Sequence, residues 1–224
     1  RNTKNALKIA SISNAKQVKS LSKLGENADI IILAVSDDSI PEISKNLKVK
    51  DKIVCHTSGI ANTEHLANSS KNYACFYPLQ TFSIGKKVSF EQIPICIEGS
   101  NEESRTLLHA LASSLSEHVK EVDSNDRRSI HLAAVFACNF TNHMFTLSKK
   151  IIQDHNLDFE MLHPLITETL NKSLELGPDK SQTGPAKRND LETLDKQFKA
   201  LSNDEDVAEM YRMISQHIID YYSK

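Results

Sequence analysis

The stretch NADIIILAVSDDSIPEIS, residues 27–44, decides the fold class of this chain. An apolar run leads directly into a polar turn, and then into a helical pattern with a proline in its first turn. A continuous apolar run of this length is typical of a strand that is covered on both faces of a parallel sheet. The stretch therefore predicts a later strand of a Rossmann-type α/β sheet, followed by its crossover helix.

The same alternation continues through the first half of the chain. The sequences Ser39-Ile-Pro-Glu42 and Ser100-Asn-Glu-Glu103 predict capping boxes at the starts of two intervening helices. Apolar runs bounded by turn residues predict strands at Ile30–Val35, Ile53–Thr57, Ala74–Tyr77, Ile95–Glu98 and Val119–Val122. The pattern indicates a mostly parallel α/β sheet over residues 1–123.

After Asp123 the strand patterns stop and only helical patterns follow. The first of them is apolar on nearly every face, which predicts burial in a domain centre or in a dimer interface. Helices are predicted at Arg127–Gln153, Pro164–Leu176, Leu191–Leu201 and Asp204–Tyr222. The sequence therefore predicts two domains, a partial Rossmann-like domain over residues 1–123 and an all-α domain over residues 124–224.

Composition excludes several classes of partner. The chain has 224 residues, 39% of them hydrophobic, and a net charge of −2, so no nucleic acid or anionic membrane is expected as its partner. No signal peptide and no membrane span are evident. The four cysteines are scattered and form no paired motif, which favours free thiols in a reducing compartment. We expect a cytoplasmic protein.

Polar residues follow the first two predicted strands at the edge where α/β sheets bind ligands. Each group has a second interpretation: the first as a helix cap and the second as a plain turn relieved by Gly59. The residues predicted to line a cofactor are Ala34, Val35, Ser36 and Asp37 after the first strand, and His56, Thr57 and Ser58 after the second.

The third strand ends in FYPLQTF, residues 76–82. Tyr77 offers a phenol, and Gln80 is predicted to be buried between apolar residues, where it would need hydrogen-bond partners. Two interpretations remain open for Gln80, a substrate contact and a loop anchor that is satisfied by the backbone.

Polar residues interrupt the first long helix. Asn139 and His143 have the i, i+4 spacing of one helix face, with Asn142 beside them and His131 two turns earlier. They indicate either an active site or a buried hydrogen-bond network. No carboxylate or cysteine joins the histidines at ligand spacing, so no metal is expected.

The loop QTGPAKRND, residues 182–190, is the most unusual connection in the chain. Thr183 and Arg188 are candidates for substrate binding, since a guanidinium is a natural anchor for a carboxylate or a phosphate. The competing interpretation is a stiff turn in which Arg188 pairs with Asp190.

Taken together, the motifs AVSDDSI, HTSG, FYPLQTF, HLAAVFACNFTNH and TGPAKRND resemble those of a known family over essentially the whole chain. The family comprises Rossmann-like, NADP-dependent or deazaflavin-dependent oxidoreductase-like proteins with a C-terminal helical domain of unknown function. They are related to pyrroline-5-carboxylate reductase and to the 6-phosphogluconate and hydroxyacid dehydrogenases. The resemblance implies an NAD(P)-binding domain, a helical domain that forms a homodimer, and an active site between the two.

In this family a glycine loop and its helix precede the residues that match Arg1. The resemblance implies that Arg1 contacts the ribose 2′-phosphate of NADP, and that the phosphate-binding glycine loop is missing from the sequence. We therefore expect weak NADP (NADPH) binding by the chain as given.

The resemblance implies an oxidoreductase acting on a small carbonyl, imine or hydroxy compound. The lysine that hydroxyacid dehydrogenases place one turn before the helix asparagine is absent, since Val135 and Cys138 occupy the matching positions. The expected general acid is therefore missing, and His143, Tyr77 or His56 would have to serve, with His143 as the first choice. Asn139 is the further catalytic candidate, and the residues expected to face the substrate are Gln80, Asn142, Thr183 and Arg188. The alternative is a non-catalytic, nucleotide-binding regulatory or assembly module.

Overall fold

The computed structural model describes residues 3–18, 20–21, 24, 28–49 and 51–223. The chain divides into two compact units, residues 1–139 and residues 140–224. This division falls inside a continuous helical run. The change of sequence pattern at Asp123 is a separate observation, and a functional domain boundary there stays a prediction.

The first unit contains a five-stranded sheet in the order β1-β2-β3-β4-β5. Neighbouring strands are parallel except for the antiparallel pair β3–β4. The strands are β1 (Ile30–Leu33), β2 (Ile53–His56), β3 (Tyr73–Pro78), β4 (Ile95–Gly99) and β5 (Val119–Glu121). The predicted α/β class with a mostly parallel sheet is therefore confirmed.

Alternation along the strands builds a buried cluster on each face of the sheet. On β2, Ile53 and Cys55 belong to one cluster, which also contains Leu108, while Val54 belongs to the other, which contains Ile40. Since both faces of β2 are covered, all four of its residues are buried. This is why the central strands are recognisable in the sequence as unbroken apolar runs.

The α-helices described in this unit are α1 (Thr3–Ile12), α2 (Ile40–Asn46), α3 (Glu102–Ser113) and α4 (Ser124–Ala134). Both predicted capping boxes are wrong. A 3₁₀ turn at Asp37–Ser39 precedes α2, and Ser39 makes no side-chain cap. The residue that caps α3 is Asn101, which forms a capping box with Ser104.

The second unit is all-helical and continues from α4 through a π-helical segment, Val135–Phe140. Its helices are α5 (Thr141–Gln153), α6 (His163–Leu176), α7 (Pro178–Ser181), α8 (Leu191–Ala200) and α9 (Glu205–Tyr222). Leu132 and Ile151 of the first long helical run are exposed in the single chain, so the domain-centre interpretation of this run is wrong, while its burial in a dimer interface stays a prediction. No helix in the described part of the chain has both the length and the apolar composition to cross a bilayer.

Candidate functional site

The carboxyl ends of β1, β2 and β3 lie at one edge of the sheet, because these three strands are parallel. We call this the carboxyl edge. The register aligns Leu33 with His56, and His56 with Cys75, so the segments that follow the three strands meet there. Open α/β sheets bind ligands at this edge.

Small exposed residues follow β1. Ala34, Val35 and Ser36 are exposed and Asp37 is half-buried. The Ser36 hydroxyl lies 2.8 Å from the Ser39 hydroxyl, and the Ser39 amide donates to the Ser36 carbonyl. The segment directly after β1 is therefore accessible to a ligand.

The segment after β2 is mostly closed to ligands. The His56 side chain is fully buried and its Nδ1 accepts from the Ser58 amide at 3.2 Å. Burial, and then the charge of Arg127, lower the pKa of His56 to about 4, so its imidazole is neutral at pH 7. The Ser58 hydroxyl accepts from the Ile60 and Ala61 amides. Of the predicted cofactor residues in this segment, only Thr57 is partly accessible.

The predicted burial of Gln80 is wrong. The residue is exposed, not buried, and its side-chain oxygen accepts from the Thr81 amide at 2.8 Å. The backbone of the next residue satisfies this side-chain carbonyl, and no buried partner is needed. The structure therefore favours the loop interpretation of Gln80. Arg1, which was predicted to contact the ribose phosphate, lies outside the described residues.

Tyr77 meets His131 at the carboxyl edge. The Tyr77 hydroxyl lies 3.0 Å from Nδ1 of His131, which is on α4, and the two rings pack edge to face. Burial raises the pKa of the half-buried Tyr77 phenol, so the phenol stays protonated near neutral pH. A protonated phenol beside an imidazole can both donate and recover a proton.

Gly59 makes this contact possible. A Cβ atom at position 59 would lie 2.5 Å from Nδ1 of His131 and 3.0 Å from Cζ of Tyr77. Any other residue would push the two rings aside. The glycine of the HTSG motif is therefore required for space beneath the pair, which was not apparent from the sequence.

A buried ion pair fixes α4 against the sheet. The Arg127 side chain is fully buried, pairs with Glu98 of β4 and donates to the Ala61 carbonyl at 2.5 Å. Glu98 also accepts hydrogen bonds from Thr63 and Ser124. Because His131 follows Arg127 by one helical turn, the ion pair holds His131 where Tyr77 can reach it.

Sequence reasoning missed the Arg127–Glu98 pair and the role of His131. The available signal was Glu98, a carboxylate closing the apolar strand ICIEG, which requires a buried partner. The first turn of α4 supplies that partner. No cluster of three or more histidine, cysteine or acidic residues in the described ranges could hold a metal ion.

The remaining predicted site residues lie later in the chain. Asn139 is exposed inside the π-helical segment. Its predicted shared face with His143 assumed the i, i+4 spacing of an α-helix, and the wider turn of a π-helix does not keep that spacing. Asn142 and His143 are exposed on α5, in the second unit. Thr183 and Arg188 are exposed in the loop before α8.

The second unit has an apolar cavity of its own, with a volume of about 330 Å³. Thr183 reaches its lining, while Asp190 caps α8 by accepting from the Thr193 amide. Apolar residues of α5, α8 and α9 form most of the wall, including Met144, Leu147, Leu194, Met210 and Ile214.

Comparison with known proteins decides the family. Residues 93–218 match the family model described as "Domain of unknown function (DUF2520)". This chain belongs to the DUF2520 family. A Bacteroides fragilis protein, described as a "putative NADP oxidoreductase", is 35% identical to it, with a TM-score of 0.91 over 98% of this chain and 86% of that one. The family is Rossmann-like and NADP oxidoreductase-like, as the motifs predicted.

More distant structures share the fold alone. An imine reductase of Myxococcus stipitatus, solved with NADP⁺, is 10% identical, with a TM-score of 0.64 over 100% of this chain and 90% of its own. A 1-pyrroline-5-carboxylate reductase of Streptococcus pyogenes is 12% identical, with a TM-score of 0.59 over 98% and 86%. No curated protein matches the chain.

Proposed function

We propose that this DUF2520 protein is an NADP-dependent oxidoreductase that interconverts a small carbonyl or imine compound with its reduced form. The observation that carries the proposal is the half-buried Tyr77 hydroxyl, which lies at the carboxyl edge of the parallel strands. Reduction of a carbonyl or imine needs a proton donor close to the reacting atom, and a phenol can provide it. The similar Bacteroides fragilis protein supports the choice of NADP.

The residues at the carboxyl edge fit one half of the dinucleotide. Ala34, Val35 and Ser36 are small and exposed, and they leave room for the nicotinamide end, with Asp37 and Thr57 beside it. Among the described residues, no glycine lies in a turn that joins the end of a parallel strand to the start of an α-helix, where a dinucleotide-binding fold holds the pyrophosphate. We therefore assign residues of this chain to the nicotinamide half of NADPH only, and none of the described residues to its pyrophosphate.

In this proposal NADPH supplies a hydride, and the chain supplies position and the proton. Tyr77 donates its hydroxyl proton to the oxygen or nitrogen that gains the electron pair of the broken double bond. Asn139 and His143 stay candidates for orienting the substrate from the helical run. Asn142, Thr183 and Arg188 stay sequence-based candidates for substrate binding, since an exposed guanidinium can receive an acidic group.

An NADPH titration of the full chain tests the cofactor assignment. Ala34→Glu places a carboxylate on the accessible surface after β1, so we expect it to weaken NADPH binding at least about tenfold through bulk and charge repulsion. Ala110→Glu, at an exposed position on α3, is the matched control and should bind like the wild type. Equal affinity of wild type and Ala34→Glu would contradict the site.

The alternative is a non-catalytic module that binds a nucleotide for regulation or assembly. The same protein samples separate the two. An oxidoreductase binds NADPH and oxidises it with at least one carbonyl or imine in a substrate panel, and Tyr77→Phe slows that turnover by about 100-fold. A regulatory module binds the nucleotide without turnover in any member of the panel.

We also propose that the helical unit forms a homodimer. Among the described residues from 140 to 223, the only buried hydrophobic residues are Ala186, Leu194 and Ala208. An all-helical unit of this size needs a much larger core than three residues can form. A second copy of the chain would cover the exposed leucines of α6 and complete that core.

A further inference from the structure

One hydrogen atom decides what the Tyr77–His131 contact can do. A phenol has a single hydroxyl hydrogen, while each imidazole nitrogen either carries a hydrogen or accepts one. If Nδ1 of His131 is the acceptor, the Tyr77 hydrogen points at the imidazole and is not available to a substrate. If Nδ1 carries the hydrogen, it donates to the Tyr77 oxygen, and the hydroxyl hydrogen is free to point elsewhere.

We propose that His131 is a positioning residue for Tyr77, with Nδ1–H donating to the phenol oxygen and turning the hydroxyl hydrogen toward the substrate. This inference rests on the proposed function, and it adds two residues that the sequence did not single out for catalysis. His131 acts through Tyr77, and Gly59 provides the space in which the Tyr77 hydroxyl lies 3.0 Å from Nδ1 of His131.

The proton balance explains why such a donor is needed. A hydride adds to the substrate carbon with its electron pair, and the π electrons of the double bond move to the oxygen or nitrogen. That atom takes the hydroxyl proton of Tyr77, which is left as a phenolate and regains a proton from water. Burial disfavours the phenolate, so a hydrogen bond from His131 lowers the cost of forming it.

The surroundings leave His131 as the direct donor. The other titratable groups near the Tyr77 phenol are Cys96 and Cys75, which would oppose the phenolate only as thiolates, and Arg127, whose charge favours it. The Arg127 guanidinium is already paired with Glu98. His131 itself is held by that pair through α4, so its ring stays in reach of Tyr77 without a contact from the substrate.

Carbon-13 NMR of labelled tyrosine tests the inference on the full chain without a known substrate. The chain has five tyrosines, and Tyr77→Phe assigns the signal of interest. His131→Phe keeps the ring volume and removes the donor, so we expect the pKa of Tyr77 to rise. His131→Asn retains an N–H donor and should bring the pKa back toward that of the wild type. His109→Phe, at an exposed position on α3, is the control and should leave it unchanged.

An unchanged or lower pKa of Tyr77 in a folded His131→Phe protein would overturn the inference. If that variant does not fold, His131→Asn decides alone: a Tyr77 pKa close to the wild-type one supports the donor role, and a clear rise contradicts it. With a substrate in hand, His131→Phe should lower kcat about tenfold with KM and NADPH affinity unchanged. Absence of NADPH binding by the wild type, at concentrations high enough to detect the weak binding expected of this chain, would instead overturn the proposed function, which separates the two failures.

Discussion

At the scale of single residues, the buried charge of Arg127 holds α4, and with it His131, against the sheet. Its guanidinium is removed from solvent and pairs with Glu98, which is itself largely shielded. Burial raises the pKa of Glu98, but hydrogen bonds from Thr63, Arg127 and Ser124 and the Arg127 charge outweigh it and hold the pKa below its usual value. The ionised pair is therefore a property of the folded state.

The pair predicts a pH-dependent loss of stability in Glu98→Gln. At neutral pH the substitution leaves the buried Arg127 charge without its counter-ion, so we expect a loss of about 3 kcal/mol in the free energy of unfolding. A depressed carboxyl pKa contributes stability above the unfolded pKa of about 4.3, and this contribution disappears as the pH falls through the folded pKa. Urea unfolding near neutral pH and near pH 3 measures both differences, and the gap between the two proteins should narrow in acid.

Glu102→Gln is the control for that experiment. Glu102 lies on the surface of α3, and its pKa is lowered by a hydrogen bond from Arg105. Exposed pairs contribute little, so its unfolding should follow the wild type at both pH values. A gap for Glu98→Gln that stays constant with pH would show that packing, and not ionisation, holds Glu98 in place.

At the scale of elements, the sequence predicted what depends on periodicity. Apolar runs located all five strands, because both faces of the central strands are covered. The helix starts were harder to predict, because a side chain can cap a helix only when it is not already hydrogen-bonded elsewhere. Ser100 accepts from the Tyr73 amide and donates to the Lys71 carbonyl, so the capping role falls to Asn101.

The site was predictable to the same extent. Strand ends gave the carboxyl edge and Tyr77, because the direction of parallel strands follows from the chain. The contact with His131 depends on the approach of α4, which the buried Arg127 fixes, and no periodic pattern encodes that approach. The π-helical segment likewise has no counterpart in a pattern that assumes 3.6 residues per turn.

The helix α6 carries the prediction about association. Leu170 is 58% exposed and Leu174 is 77% exposed, one turn apart on a helix with no buried residue. The double variant Leu170→Glu with Leu174→Glu would place two charges in the proposed dimer interface. We therefore expect it to have the mass of a single chain by light scattering. The wild type should have twice that mass at micromolar concentration.

Leu107→Glu, at an exposed position on α3, provides the matched control and should remain a dimer. A wild type with the mass of one chain would refute the dimer. A double variant that stays dimeric would move the interface away from α6.

At the scale of the whole molecule, the two units have different proposed roles. The sheet unit presents the carboxyl edge and the Tyr77–His131 pair, and the helical unit is proposed to form the homodimer. The central claim is that NADPH binds at the carboxyl edge.

Hydrogen exchange of the full chain with and without NADPH tests that claim most directly. Backbone amides that a bound nucleotide covers exchange more slowly, so the footprint locates the ligand without knowledge of the substrate. We predict slower exchange in the segment after β1, at residues 34–39, and at Thr57 after β2. Protection confined to the helical unit, or no protection at saturating NADPH, would contradict the account.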